Sequence, residues 1–257
     1  MKQILLVEDS TMFGKLTKAK LEAVFHVPVC WVKTLAETIA VLDSAKNTFS
    51  MAALDFNLPD APQGEAIDEV VARGISVLVF TSNITEEIRS LVWSKKVADY
   101  ILKDDPSSIE YLIMAMKRME KNIDNLILVV DDSDGKRAFF SELLYVRQYR
   151  VITAKSGEEA LAILQKYQEI KMVVTQYYLP DMDGWLFCRK VRETFKRDQL
   201  AIVGIVSRGG KNIGIRFIKS GATDFILEDS FMVEEFYCRV DQCMEMINLF
   251  QLSGKPG

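Results

Sequence analysis

Ile4-Leu5-Leu6-Val7-Glu8-Asp9-Ser10 reappears farther along the chain as Leu126-Ile127-Leu128-Val129-Val130-Asp131-Asp132-Ser133. Two more pairs follow in the same order. Asn57-Leu58-Pro59-Asp60 returns as Tyr178-Leu179-Pro180-Asp181, and Ala98-Asp99-Tyr100-Ile101-Leu102 as Thr223-Asp224-Phe225-Ile226-Leu227. The partners lie roughly 121 to 126 residues apart, which is the length of a complete small domain and too long for a solenoid repeat. The 257 residues therefore read as two copies of one domain. Residues 1–122 form the first copy and 123–250 the second, and 251–257 are a tail or the start of a linker.

Within each copy, short runs of Val, Ile and Leu alternate with longer amphipathic segments. The first copy predicts strands over 3–7, 28–32, 51–54, 75–80 and 97–102, with helices over 10–24, 34–46, 63–73, 84–94 and 107–121. The second predicts strands over 126–130, 149–153, 171–175, 201–206 and 223–227. Its helices fall over 133–145, 156–168, 183–195, 211–219 and 231–249. Strand runs that are apolar on both faces, each followed by a helix, imply a parallel sheet covered on both sides. The expected fold class is α/β: two tandem, doubly wound, five-stranded parallel sheets with helices on both faces, of the flavodoxin-like type. Ser10, Thr34, Ser156 and Asp183 stand where N-caps belong.

Composition narrows the function. The longest aliphatic run, Leu126 to Val130, is strand-sized and far below the ~18 residues of a membrane span, and Ile4 to Val7 is too short for a signal-peptide core. A soluble, cytoplasmic chain is expected. Cys30, Cys188, Cys238 and Cys243 have no CxxC spacing and His26 is the only histidine, which disfavours zinc and suggests reduced thiols used as small hydrophobes. A net charge of -4 without a basic stripe disfavours nucleic acid.

Open parallel sheets bind ligands at the carboxyl ends of their strands. In the first copy those ends carry Glu8 and Asp9, then Asp55, Thr81 and Lys103. Carboxylate oxygens suit a hard divalent ion such as Mg²⁺. A lysine beside the metal would help hold a dianionic phosphoryl group, with Asp55 as nucleophile. This set, in this strand order, resembles the receiver domains of two-component response regulators, in tandem over almost the whole chain. The resemblance implies that Asp55 is the phosphoacceptor and that Glu8 and Asp9 are the acidic metal pair, with the backbone carbonyl of Asn57 a further ligand. It also implies that Thr81 bonds a phosphoryl oxygen, that Lys103 pairs with it, and that Tyr100 is the aromatic that changes rotamer on activation. A sensor histidine kinase or a phosphotransfer protein is the implied donor. Receivers usually follow the lysine directly with proline; here proline is delayed to Pro106, so a trans bond is expected after Lys103.

The second copy keeps Asp131 and Asp132 but aligns Gln176 with the acceptor, Ser207 with the hydroxyl and Glu228 with the lysine. A neutral amide cannot form an acyl phosphate, and Glu228 puts an anion where a cation is needed. This copy reads as a degenerate pseudo-receiver that serves for docking or dimerisation. A sharper alternative has Asp131, Asp132 and Glu228 holding a divalent ion constitutively. Val233, Phe236, Tyr237, Val240, Cys243, Met244 and Ile247 give the last helix one apolar face. The stripe extends to Phe250 and offers a homodimer contact or a lead into another domain. Asn57 to Glu65, Asp99 to Asp104 and Glu235 to Val240 resemble the paired receivers that precede a GGDEF diguanylate cyclase domain. The GGDEF signature is absent from this chain. A stand-alone tandem receiver, acting as a phosphorylation-dependent binding module or a phosphate sink, is the other reading.

Overall fold

The structure is a computed structural model, described for residues 2–82, 85–104, 107–207 and 210–253, with side chains to 250. Asp105, Pro106, Arg208, Gly209 and the end of the tail lie outside the described residues. The chain divides into two compact units, Met1–Asn122 with Val146–Gln148, and Ile123–Tyr145 with Tyr149–Gly257.

In the first unit, β1 (Gln3–Val7), α1 (Thr11–Phe25), β2 (Val29–Val32), α2 (Leu35–Leu42) and β3 (Phe49–Leu54) lead to α3 (Glu65–Val71). Then come β4 (Ser76–Thr81), α4 (Glu86–Ser94), β5 (Asp99–Leu102) and α5 (Ser108–Asn122). The second unit runs through β6 (Leu126–Val130), α6 (Asp134–Val146), β7 (Arg150–Ala154), α7 (Gly157–Lys166) and β8 (Ile170–Gln176). It finishes with α8 (Gly184–Thr194), β9 (Ala201–Val206), α9 (Gly210–Lys219), β10 (Asp224–Leu227) and α10 (Val233–Ser253). All pairings between these strands are parallel, in the orders β2-β1-β3-β4-β5 and β7-β6-β8-β9-β10. The expected class is the one observed. Many element boundaries differ from the expected ones by one to four residues, and two of the shifts have a visible cause. Helix α2 stops at Leu42, where Asn47 Nδ2 donates to the Val41 carbonyl. Strand β3 starts at Phe49 because that residue pairs with Gln3.

Alternation along the central strands builds a core on each face of the first sheet. Leu5, Val7, Ala52, Leu54, Val77 and Val79 pack toward Ala66, Ile67 and Val70 of α3 and Val92 of α4. Ile4, Leu6, Met51, Ala53, Leu78 and Phe80 pack toward Leu21 of α1 and Leu112 and Met116 of α5. Because both faces are buried, the strand ends are the places where polar groups of the sheet reach solvent.

Ser10, Thr34 and Ser156 cap their helices through side-chain oxygens that accept from Phe13, Glu37 and Glu159 N–H. Asp183 occupies the cap of α8 without such a bond. The repeated Leu-Pro-Asp has a local cause that the sequence did not reveal. Asp60 accepts from Leu35 N and Ala36 N (2.9 and 3.1 Å), and Asp181 accepts from Gly157 N and Glu158 N (2.9 and 2.8 Å). In each unit a loop aspartate thus reaches across to cap the helix after the second strand, where the helix dipole favours an anion. The bonds from Leu35 and Ala36 hold the Asp60 carboxyl below the ordinary value. His26 ends α1 in the left-handed region at φ 54°. Cys188 and Cys243 are buried, and burial pushes their thiols up to about 12; Cys30 is half-buried and Cys238 is exposed. No helix among the described residues is long and apolar enough to cross a membrane. Asp181→Ala removes a helix cap, so urea denaturation should show a loss of about 1 kcal/mol, with Asp181→Asn retaining part of it.

Candidate functional site

The residues expected to act together meet at the carboxyl edge of the first sheet. Glu8 follows β1 directly and is 2% exposed; Asp55 follows β3 and is 8% exposed. Lys103 follows β5, and its backbone N–H donates to the Thr81 carbonyl at the end of β4 (2.8 Å). Its ammonium lies between the acids, 2.5 Å from Glu8 Oε2 and 2.6 Å from Asp55 Oδ2. The other oxygens accept from main-chain amides: Ser10 N to Glu8 Oε1 and Asn57 N to Asp55 Oδ1, both at 3.1 Å. Asp55 N also donates to the Val7 carbonyl (2.9 Å), which ties Asp55 to the end of β1. The peptide bonds among the described residues are trans.

Glu8, Asp9 and Asp55 place carboxylate oxygens within 4.8 Å of one another, with Asp9 exposed to solvent. That donor set fits a hard divalent cation with several retained waters. Burial pushes the Glu8 carboxyl above its ordinary value, and the Asp55 charge adds to this while Lys103 works against it. A cation placed among these acids would therefore relieve an existing electrostatic cost.

Tyr100 lies in β5 and packs edge-on against Trp93 of α4, with ring centroids 5.5 Å apart. Three other aromatic residues touch the site although the sequence offered no signal for them. Trp31 Nε1 donates to the Glu8 carbonyl (2.8 Å), and a Cβ on Gly14 would collide with its ring. Phe13 and Phe80 lie 5.0 and 5.4 Å from the Lys103 ammonium. Helical and strand periodicity marks such rings as packing, and only the fold shows what they pack against.

The second unit has the same backbone with different charges. Glu228 starts a short 3₁₀ turn after β10. One of its oxygens lies 2.5 Å from Lys136 Nζ on α6, and the other faces Gln176 Nε2 at 3.5 Å. Gln176 Oε1 accepts from Tyr177 N (2.7 Å). The strand ladders correct one assignment. Leu102 is opposite Thr81 in the first sheet, and Leu227 is opposite Val206 in the second. Val206 therefore occupies the strand position of Thr81, and Ser207 lies one residue beyond. An apolar side chain stands in the hydroxyl position because the register comes from backbone pairing, which a sequence alignment through a loop does not see. Ser207 instead joins Asp132, Gln176 and Tyr178 around a cavity of about 500 Å³.

Among the described residues, a three-carboxylate group close enough to share a cation occurs at Glu8, Asp9 and Asp55 and not at Asp131, Asp132 and Glu228. Glu228 is drawn to Lys136 instead. Asp131 is buried, with Oδ1 accepting from Ser133 N and Oδ2 lacking a hydrogen-bond partner.

Comparison with known proteins agrees with this geometry. The family model for the response regulator receiver domain matches residues 127–232. The Two-component response regulator ORR5 of Oryza sativa subsp. japonica is 33% identical over 102 residues, 40% of this chain and 76% of the relative. ORR3 of subsp. indica is 32% identical, over 40% of this chain and 78% of its own length. The chain belongs to the response regulator receiver family of two-component signalling. Proteins of this family receive their signal from histidine kinases or phosphotransfer proteins, and their acidic residues generally bind Mg²⁺. Two solved structures, each described as a two-component system response regulator/GGDEF domain protein, are 31% identical with a TM-score of 0.80. The match covers 96% of this chain and all of theirs.

Asp131 supplies a pH test. Burial raises its carboxyl above the ordinary value, and the neighbouring Asp132 adds to the shift. The folded chain therefore binds that proton more tightly than the unfolded one, and stability falls as pH rises from 3.8 through the raised value. Asp131→Asn keeps an acceptor for Ser133 N and removes the unpaired charge. Denaturation in metal-free buffer should show a gain of about 1–2 kcal/mol at neutral pH that disappears below the ordinary aspartate value. A loss of stability at neutral pH would contradict this account.

Proposed function

We propose that the first unit accepts a phosphoryl group on Asp55 from a sensor histidine kinase or a phosphotransfer protein, and that this sets the conformational state of the chain. The observation that carries the reading is the buried Lys103 ammonium bridging Glu8 and Asp55 at the strand edge. The arrangement places a cation beside Asp55, at the point where anionic charge would arrive. Glu8, Asp9, Asp55 and the Asn57 carbonyl are the residues that would hold Mg²⁺. When bound, the metal would neutralise charge on the incoming phosphoryl group. Thr81, at the end of β4, and Lys103 then turn to the modified side chain. Their movement is passed to Tyr100, which shares β5 with the approach to Lys103 and packs on Trp93 of α4. This is a shift between two populated states biased by local charge.

Residues 1–122 are the phosphorylatable receiver in this reading, and 123–250 are a pseudo-receiver. Gln176 offers no carboxylate, Val206 no hydroxyl and Glu228 no cation, so three independent requirements fail at one edge. The output we infer is control of a C-terminal GGDEF diguanylate cyclase domain reached through 251–257. The two GGDEF-linked structures support this, as does the apolar stripe of α10, which is buried through Ile247 but leaves Leu249 and Phe250 61% and 50% exposed. Homodimerisation would bring two such outputs together.

Acetyl phosphate with Mg²⁺ should add one phosphoryl group to the full chain by intact mass. Asp55→Asn should abolish the adduct completely, because the second unit has no acceptor. An acid-labile adduct that persists in Asp55→Asn would overturn both assignments. Sedimentation with and without beryllofluoride should show a change in association. If association is unaltered, the reading as a stand-alone partner-binding module gains instead.

A further inference from the structure

The Lys103 ammonium has two partners besides the carboxylates. It lies 5.0 Å from the centroid of Phe13 and 5.4 Å from that of Phe80, within the range in which a ring face attracts a cation. The rings support each other, with centroids 5.0 Å apart and planes inclined by 47°. Phe80 is 1% exposed and the Lys103 side chain 8%, so the attraction acts largely away from water, where it is strongest. Phe13 is the third residue of α1 and Phe80 the penultimate residue of β4.

The same positions in the second unit change together. Where Lys103 becomes Glu228, the third residue of the corresponding helix is Lys136 and not an aromatic, and the two form an ion pair. Ile205 stands where Phe80 does, opposite Ile226 as Phe80 is opposite Ile101. A ring suits a cation at the strand end and a lysine suits an anion. One chain thus carries both solutions to the same contact, which ties the helix position to the charge at the strand end.

We propose that Phe13, backed by Phe80, is a positioning residue for Lys103, holding its ammonium at the strand edge while its carboxylate partners change. This rests on the reading of Asp55 as phosphoacceptor. In the structure Lys103 is hydrogen-bonded to both Glu8 and Asp55. Its third N–H remains for a phosphoryl oxygen, and a lysine whose hold on Glu8 and Asp55 loosens as charge is redistributed would ordinarily swing into solvent. The ring faces attract the charge without competing for its N–H donors, so the ammonium keeps a partner both before and after transfer. Phe13 does not touch the reacting atoms and acts through the lysine.

The test is a double-mutant cycle on the full chain, following the rate of Asp55 phosphorylation by acetyl phosphate and, separately, Mg²⁺ affinity by calorimetry. Phe13→Leu should slow phosphorylation roughly five- to tenfold while leaving Mg²⁺ affinity within twofold. Phe13→Tyr keeps the ring and should restore at least half the rate. In a Lys103→Met background, Phe13→Leu should change the residual rate by less than twofold, because the charge it positions is gone. A merely structural role for Phe13 would slow both backgrounds alike, and that result would overturn the inference. So would a Phe13→Leu rate equal to that of the unmodified chain. Failure of the unmodified chain to take up phosphate would instead defeat the phosphoacceptor reading, and the positioning role with it.

Discussion

The ammonium of Lys103, buried between Glu8 and Asp55, is the contact around which the first unit's site is organised. Two carboxylates within reach of each other at the end of a fully buried sheet are unstable unless a cation lies between them. The lysine provides that cation, and main-chain amides of Ser10 and Asn57 take up the remaining oxygens. The network is therefore satisfied in the resting chain, yet it is held by charges that an incoming cation or phosphoryl group can redistribute. Breaking one side of a buried pair is costly, so rearrangement must be concerted. In the proposed phosphoryl transfer this would favour a switch over a graded response.

The scaffold around this network leaves little freedom. β1, β3 and β4 bury both faces, so the three strand ends are fixed relative to one another by paired backbone and by two apolar cores. Trp31 anchors the Glu8 carbonyl from the neighbouring strand. Asp60, in the loop after β3, is tied to the start of α2. In the proposed reading, a rigid edge of this kind would concentrate the response to phosphorylation on Lys103, Thr81 and the aromatic contact at Tyr100.

The second unit shows what the same backbone does when the charges are exchanged. Glu228 would be an uncompensated anion at the strand end, and Lys136 supplies its partner from α6. Asp131 keeps its place but not its cation, and one of its oxygens is left without a hydrogen bond. The fold tolerates this because its stability comes from the apolar layers, to which these edge residues contribute little. Fold and chemistry are thus separable within one chain.

The repeated Val/Ile/Leu runs and the intervening amphipathic segments were enough to define two parallel α/β sheets. Polar residues that interrupt such runs can lie only at strand ends, so Glu8, Asp9, Asp55, Thr81 and Lys103 were legible as one edge. The amide of Gln176 and the carboxylate of Glu228, at the strand ends where the first copy has Asp55 and Lys103, were legible for the same reason. Three features were decided by the tertiary structure. Strand register put Val206, and not Ser207, level with Thr81, because backbone pairing across the sheet fixes alignment where loops differ in length. Lys136 met Glu228, and Phe13 and Phe80 met Lys103, through contacts between elements far apart in the chain. An aromatic on an apolar helix face has the same sequence pattern whether it packs on leucine or on an ammonium, and only the folded chain brings the charge to the ring.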